Sequence, residues 1–201
     1  MNYLAHLFLA QPTADSHYGN LLGDFRRGVD INTLPNTVLS GLKNHHLVDK
    51  FTDQHALVKQ AKLVFSAEKQ RFSGIAIDVL FDYFLIKHWQ QFSTHDFATF
   101  KQQSYDLLQK RQSVMPARMK LVTCKIIEQD WFASYAHFAS IGTALDNISR
   151  RIRFNNQFSG SIKDIENHYD ELESIFLMFF PELMAHVTQA NFEGNLDANK
   201  Q

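Results

Sequence analysis

GIAIDVLFDYFLI, residues 74–86, together with Phe72 just before it, carries an apolar helix face at positions 72, 75, 76, 79 and 83, but positions 77, 80, 81 and 84 are apolar as well. A helix that is apolar on every side belongs inside a helical protein, packed by neighbours all round. Asp78 and Asp82 are the only charges in the stretch, and four-residue spacing puts both carboxylates on one stripe. Two ionised carboxylates in such a place repel each other and lose their water. Burial therefore demands hydrogen bonds, a proton on one of them, an Arg or His partner, or a bound cation. The pattern leaves open whether a buried ion pair or a divalent metal satisfies them.

Outward from this helix the rest of the chain reads the same way. Only 8 Gly and 4 Pro punctuate 201 residues, and no β-branched stretch alternates between hairpin turns. Helices are predicted near 2–10, 14–25, 35–51, 54–65, 67–91, 95–111, 116–132, 134–152 and 161–187. Pro35 suits a first helical turn, and Ser93 with Asp96 and Ser161 with Asp164 match a capping pattern. RRGVDINTLPN (26–36) and RFNNQFSGS (153–161) read as loops, and residues 191–201 as a loose tail. No repeat or composition shift divides the chain. The expectation is an all-α, single-domain helical bundle over residues 1–190.

Composition narrows the function classes. The 20 Lys and Arg balance 21 Asp and Glu, which argues against a general nucleic-acid or membrane-surface binder. The single Cys124 forms no internal disulfide and no Cys-based zinc cluster, in keeping with a reducing, cytoplasmic setting. MNYLAHLFLA lacks a basic flank and carries His6, so it reads as mature protein rather than a signal peptide. No uncharged apolar stretch has spanning length. P-loop, GxSxG, GxGxxG and HExxH motifs are absent, which removes the usual support for several enzyme classes.

In GLKNHHLVDKFTDQH (41–55), His45, Asp49 and Asp53 recur every four residues, and His46 stands three before Asp49. Imidazole and carboxylate on one helical face suit Mn, Fe, Zn or Mg, or a base oriented by an acid. The same spacing also describes an ordinary polar face with a His/Asp hydrogen bond. His6 and Asp24 likewise interrupt apolar surroundings. Each has a bland reading, a core histidine bonded to backbone or a helix-end ion pair with Arg26 or Arg27. Four separate helices offering His or Asp from apolar stretches are what an interhelical metal site requires. The adjacent pair His95-Asp96 follows Ser93 and Thr94 at a helix start and reads as capping.

Together, NYLAHLFLA, GNLLGDFRRG, GLKNHHLVDKFTD, GIAIDVLFDYFLIKHW and NHYDELE resemble the acyl carrier protein phosphodiesterases, over about residues 1–187. The resemblance implies an enzyme that hydrolyses the phosphodiester between 4'-phosphopantetheine and a serine of holo-acyl carrier protein, giving the apo form, a reaction of fatty acid and lipid metabolism. It also implies an all-helical variant of the HD-like phosphohydrolases and a divalent cation, manganese first, with magnesium or iron as alternatives. Carried over by position, His6, Asp24, His45, Asp49, Asp78 and Asp82 form the metal set, with Asp24, His45 and Asp49 in catalytic roles. Arg26, Arg27, Lys43, Arg150 and Arg151 are assigned to phosphate and the acidic carrier protein. Phe8, His46 and Tyr83 depart from the family pattern, where His, Arg and His stand. An HD-like nucleotide phosphohydrolase and a noncatalytic carrier-binding module are the rival readings.

Overall fold

Two glycines bring two helices into backbone contact. In the computed structural model, which describes residues 1–194, helix α2 (Ala14–Leu22) lies against α3 (Asn36–Gln54) with Gly19 facing Gly41. A Cβ on Gly19 would stand 2.2 Å from the Val38 carbonyl oxygen, and one on Gly41 2.8 Å from the Ser16 carbonyl oxygen. The backbones touch because neither residue has a side chain there. This contact fixes Asn20 on α2 beside His45 on α3, which the functional site uses.

The remaining helices are α1 (Tyr3–Phe8), α4 (Ala56–Lys62), α5 (Ser73–Lys87), α6 (Trp89–Phe92), α7 (Phe97–Gln109), α8 (Ala117–Glu128), α9 (Trp131–Ser134), α10 (Phe138–Arg151), α11 (Ile162–Asn167) and α12 (Tyr169–Ala190). Among the described residues there is no strand, and the architecture is all-α in one domain. As residues 74–86 predict, α5 is the central helix, surrounded by α1, α4, α10 and α12. Ala76, Ile77, Val79, Leu80, Phe81, Asp82, Phe84 and Leu85 are all buried, while Ile75 is half-exposed. Phe81 and Phe84 meet Phe176, with Phe179 and Phe180 adjoining along α12. Each buried aromatic of this kind contributes about 1.5–3 kcal/mol of transfer free energy.

Local chemistry explains where predicted helices divide. The 67–91 prediction resolves into a 3-10 turn at Gln70–Phe72, then α5, then a break at His88 before α6. Asp130, at φ 43°, accepts from the Ala133 N–H and starts α9, which separates it from α8. Asp96 caps α7 by accepting from the Thr99 N–H at 2.9 Å. Pro35 is the residue before the first turn of α3 rather than within it. Ser161 makes no capping bond: its hydroxyl donates to the Phe158 carbonyl, and Asp164 pairs with Lys69 at 3.3 Å. Of the residues expected beyond the last helix, 191–194 turn back so that Glu193 accepts from Asn20 Nδ2 at 3.1 Å, while 195–201 lie outside the described residues.

No helix among the described residues is long and apolar enough to cross a membrane.

Candidate functional site

The site begins with the anchoring of α1. This helix is six residues long, too short to hold itself, and its first amide groups point into the protein. Asp82, fully buried on α5, accepts from the Leu4 N–H at 3.1 Å and the Ala5 N–H at 3.0 Å. One carboxylate thus satisfies two orphan donors and meets the positive end of the helix dipole. Burial pushes the Asp82 carboxyl up to about 7, against the pull of those two amides. Held this way, α1 presents His6 from its next turn.

His6, fully buried, stacks on His45 with ring centroids 4.1 Å apart and planes 22° apart. His45 comes from α3, and its Nδ1 lies 2.7 Å from the Asn20 carbonyl oxygen. A carbonyl can only accept, so the hydrogen is on Nδ1 and Nε2 points at the site. Nε2 is 3.0 Å from Asp49 Oδ2, while His6 Nε2 is 3.1 Å from Asp49 Oδ1. Gly23 makes room for this ring: a Cβ there would stand 1.9 Å from His45 Cδ2. The Met1 α-amino group lies 3.3 Å from both Asp49 Oδ1 and Asp78 Oδ1. Asp24, on the 3-10 turn Gly23–Phe25, faces solvent but senses the charges of His45, Asp49 and Asp78.

These contacts polarise the cluster. Burial opposes ionisation of Asp49, but the adjacent nitrogens of His45 and His6 and the Met1 ammonium outweigh it and hold the carboxyl far below its usual range. For His45, burial favours the neutral ring, yet the bond to Asp49 and the surrounding carboxylates raise it. His6 goes the other way, lowered to about 3 chiefly by burial, and is a neutral imidazole at pH 7. Crowding by protein raises Asp24, and burial raises Asp78.

A cation fits this donor set. His6, His45 and Asp49 each offer one atom within 4.8 Å of the others. Although His6 Nε2 is near Asp49, it is out of line for a hydrogen bond, and neither ring nitrogen of His6 has a hydrogen-bond partner among the described residues. A buried, neutral, unpartnered imidazole beside an ionised carboxylate is a ligand donor. The His45 ring, its other nitrogen tied to a carbonyl, has the orientation that metal-ligating histidines commonly show.

Residues 1–183 match the family model for acyl carrier protein phosphodiesterase. The chain is 36% identical over 185 residues to a Yersinia pestis protein named acyl carrier protein phosphodiesterase, covering 92% of this chain and 96% of that one. It is 32% identical over 193 residues to the Photorhabdus laumondii protein of that name, covering 96% and 98%, and 33% identical over 195 residues to the Escherichia coli one, covering 94% and 98%. The chain belongs to the acyl carrier protein phosphodiesterase family. No solved structure matches it.

The three residues expected to depart from the family pattern, Phe8, His46 and Tyr83, have clear places. Phe8 packs among Trp89, Phe100 and Phe180. Tyr83 shares a 2.9 Å hydroxyl contact with Tyr169, which also accepts from Lys87 Nζ at 2.9 Å. Both are built into aromatic packing rather than the His6–His45–Asp49 cluster. His46 is at the rim, its ring 5.4 Å edge-on from His45 and its Nε2 3.3 Å from Arg26 Nη1.

Of the six residues assigned to metal in this family member, the structure gathers His6, His45, Asp49, Asp78 and Asp24 in one region, and commits Asp82 to the α1 amides. Asp53 pairs with Lys62 at 3.0 Å on the exposed side of α3. Arg26 and Arg27 are exposed just after Asp24, and Lys43 is exposed on α3. Arg150 reaches Asn147 at 3.1 Å, whereas Arg151 lines a cavity together with Arg118. The Asn20 carbonyl, Gly23, the Met1 amino group and Arg118 were not marked by sequence reading. A glycine directly before Asp24 is the one sequence signal that could have pointed to any of them.

Proposed function

We propose that the protein hydrolyses the phosphodiester joining 4'-phosphopantetheine to the acceptor serine of holo-acyl carrier protein, leaving the apo protein, with a divalent cation, manganese foremost, held by His6, His45 and Asp49. The observation that carries this reading is the approach of those three ligand atoms in a chain of this family. Asp24 and Asp78 add negative charge around the same position. When bound, the cation supplies polarisation of a phosphoryl oxygen and acidification of water.

The chain's own groups account for the rest. The Asn20 carbonyl holds the His45 ring in one tautomer, so that Nε2 is directed at the reacting region. Asp49 remains ionised and spans both imidazoles, which keeps the two rings at a fixed separation. Asp24, solvent-accessible with a raised carboxyl, is placed to accept a proton from attacking water. Arg26 and Arg27, just after the turn that carries Asp24, offer charge to the phosphate, and with Lys43, Arg150 and Arg151 they steer an acidic carrier protein. The single cysteine and the carrier-protein substrate fit a cytoplasmic setting.

The test is release of phosphopantetheine from holo-acyl carrier protein by protein stripped with a chelator and then resupplied with manganese, magnesium, iron(II) or zinc. Stripped protein is expected to be inactive and manganese to restore release most fully. Release by fully stripped protein overturns the metal assignment. No release with any cation, alongside turnover of a nucleotide panel, overturns the substrate.

A further inference from the structure

A cavity of about 460 Å³ opens between α1, α8, α9 and α10. Asn2 and Tyr3 line it, and the next turn of that helix carries His6, whose N–H donates to the Asn2 carbonyl at 3.2 Å. Phe25, adjacent to Asp24, also lines it and stacks on Tyr3 at 6.1 Å. The Tyr3 phenol is close enough to Asp24, Arg118 and Arg151 to feel the charge of each. The cavity therefore lies alongside the segments that carry His6 and Asp24, with the guanidinium groups of Arg118 and Arg151 in its wall.

Its chemistry is that of a ligand site. The volume falls within the roughly 300–1,000 Å³ common for small-molecule pockets. Along α10, Ser140, Thr143, Ala144, Asn147 and Arg151 recur at i, i+3, i+4, i+7 and i+11, so one helical stripe presents hydroxyl, amide and guanidinium groups to it. Val122 and Trp131 form an apolar patch on the facing helices. Arg118 and Arg151 have no salt-bridge partner among the described residues, although both are exposed. A matching ligand is anionic at one end and carries both hydrogen-bonding and alkyl groups along its length.

We infer that this cavity seats the 4'-phosphopantetheine arm, its amides along the polar stripe of α10, its alkyl parts against Val122 and Trp131, and its phosphate end towards Arg118 and Arg151. The inference rests on the proposed function and adds the place where the substrate's non-reacting portion binds. Remote binding of this sort orients the phosphodiester and makes the arm, rather than phosphate alone, the recognised element.

Calorimetric titration of the full chain, in manganese buffer, with free 4'-phosphopantetheine tests it. The wild-type protein is expected to bind saturably and inorganic phosphate far more weakly. Thr143→Trp, at an exposed position of α10, fills the cavity and is expected to weaken binding at least tenfold. Arg118→Ala is expected to weaken it about tenfold, with partial rescue by Arg118→Lys. Lys120→Ala, on the same helix outside the cavity, serves as the unchanged control, and circular dichroism melts confirm that each variant folds. Equal affinity for phosphate and phosphopantetheine overturns the inference, as does wild-type affinity in both Thr143→Trp and Arg118→Ala. If phosphopantetheine release from holo-acyl carrier protein persists in that case, the function stands and only the cavity assignment falls. Absence of release with every cation overturns the function, and the occupant with it.

Discussion

Replacing Asp82 separates anchoring of α1 from direct metal ligation. In Asp82→Ala, the Leu4 and Ala5 N–H groups lose acceptors at 3.1 and 3.0 Å and remain buried. Each unsatisfied buried donor costs about 1–3 kcal/mol, and loss of the favourable dipole contact adds about 0.5 kcal/mol. Against this, the variant no longer buries a carboxyl that burial has already pushed up to about 7, which offsets part of the loss. The net destabilisation is about 3 kcal/mol, which for a chain of this size lowers Tm by roughly 6–12 °C. Asp82→Asn keeps one acceptor, and about half that loss is expected. Scanning calorimetry of wild type and both variants, paired with manganese titration, gives the answer. Wild-type Tm in Asp82→Ala would refute the anchoring role, and wild-type Tm with abolished manganese binding in Asp82→Asn would make Asp82 a ligand instead.

Other perturbations probe different layers of the structure. Gly23→Ala places a Cβ 1.9 Å from the His45 ring, so the ring must rotate away; manganese affinity and turnover are expected to fall roughly 10–100-fold with little change in helical content by circular dichroism. His17, bridging Gln11 and Ser104, is lowered to about 4 by burial, so the unfolded chain takes up its proton first on acidification. Its contribution is therefore intact above about pH 6.5 and declines as pH falls toward 4, by up to about 3 kcal/mol; urea unfolding across that window should show a shallower slope in His17→Gln. Raising salt from 50 to 300 mM should increase KM for the carrier protein several-fold while leaving kcat nearly unchanged, because the steering proposed for Arg26, Arg27 and Lys43 is a long-range attraction; a salt-independent KM would remove them from steering.

Residues 74–86 show what sequence makes legible and what it does not. Apolar residues on every side of that helix required burial, and α5 is indeed the buried centre. The four-residue spacing of His45 and Asp49 was equally legible, because helical geometry alone brings Nε2 to 3.0 Å from Oδ2. Asp78 and Asp82 share a stripe and yet have different partners, since the groups that meet them come from the chain's first residues. Nothing local distinguishes a carboxylate that accepts backbone N–H bonds from one that binds a cation. Asp53 continues the His45–Asp49 periodicity but meets Lys62, a residue whose position depends on how α4 turns back. Arg118 was hidden for a related reason: on α8 it looks like any surface cation, and only the approach of α10 and α1 turns its location into the wall of a cavity.

The most direct measurement follows the phosphorus–oxygen bond itself. Holo-acyl carrier protein is incubated with the manganese-loaded protein in oxygen-18 water, and both products are weighed by intact mass spectrometry. The account predicts apo-acyl carrier protein with an unlabelled serine and phosphopantetheine carrying one heavy oxygen on its phosphate. A carrier protein that keeps its full holo mass contradicts it.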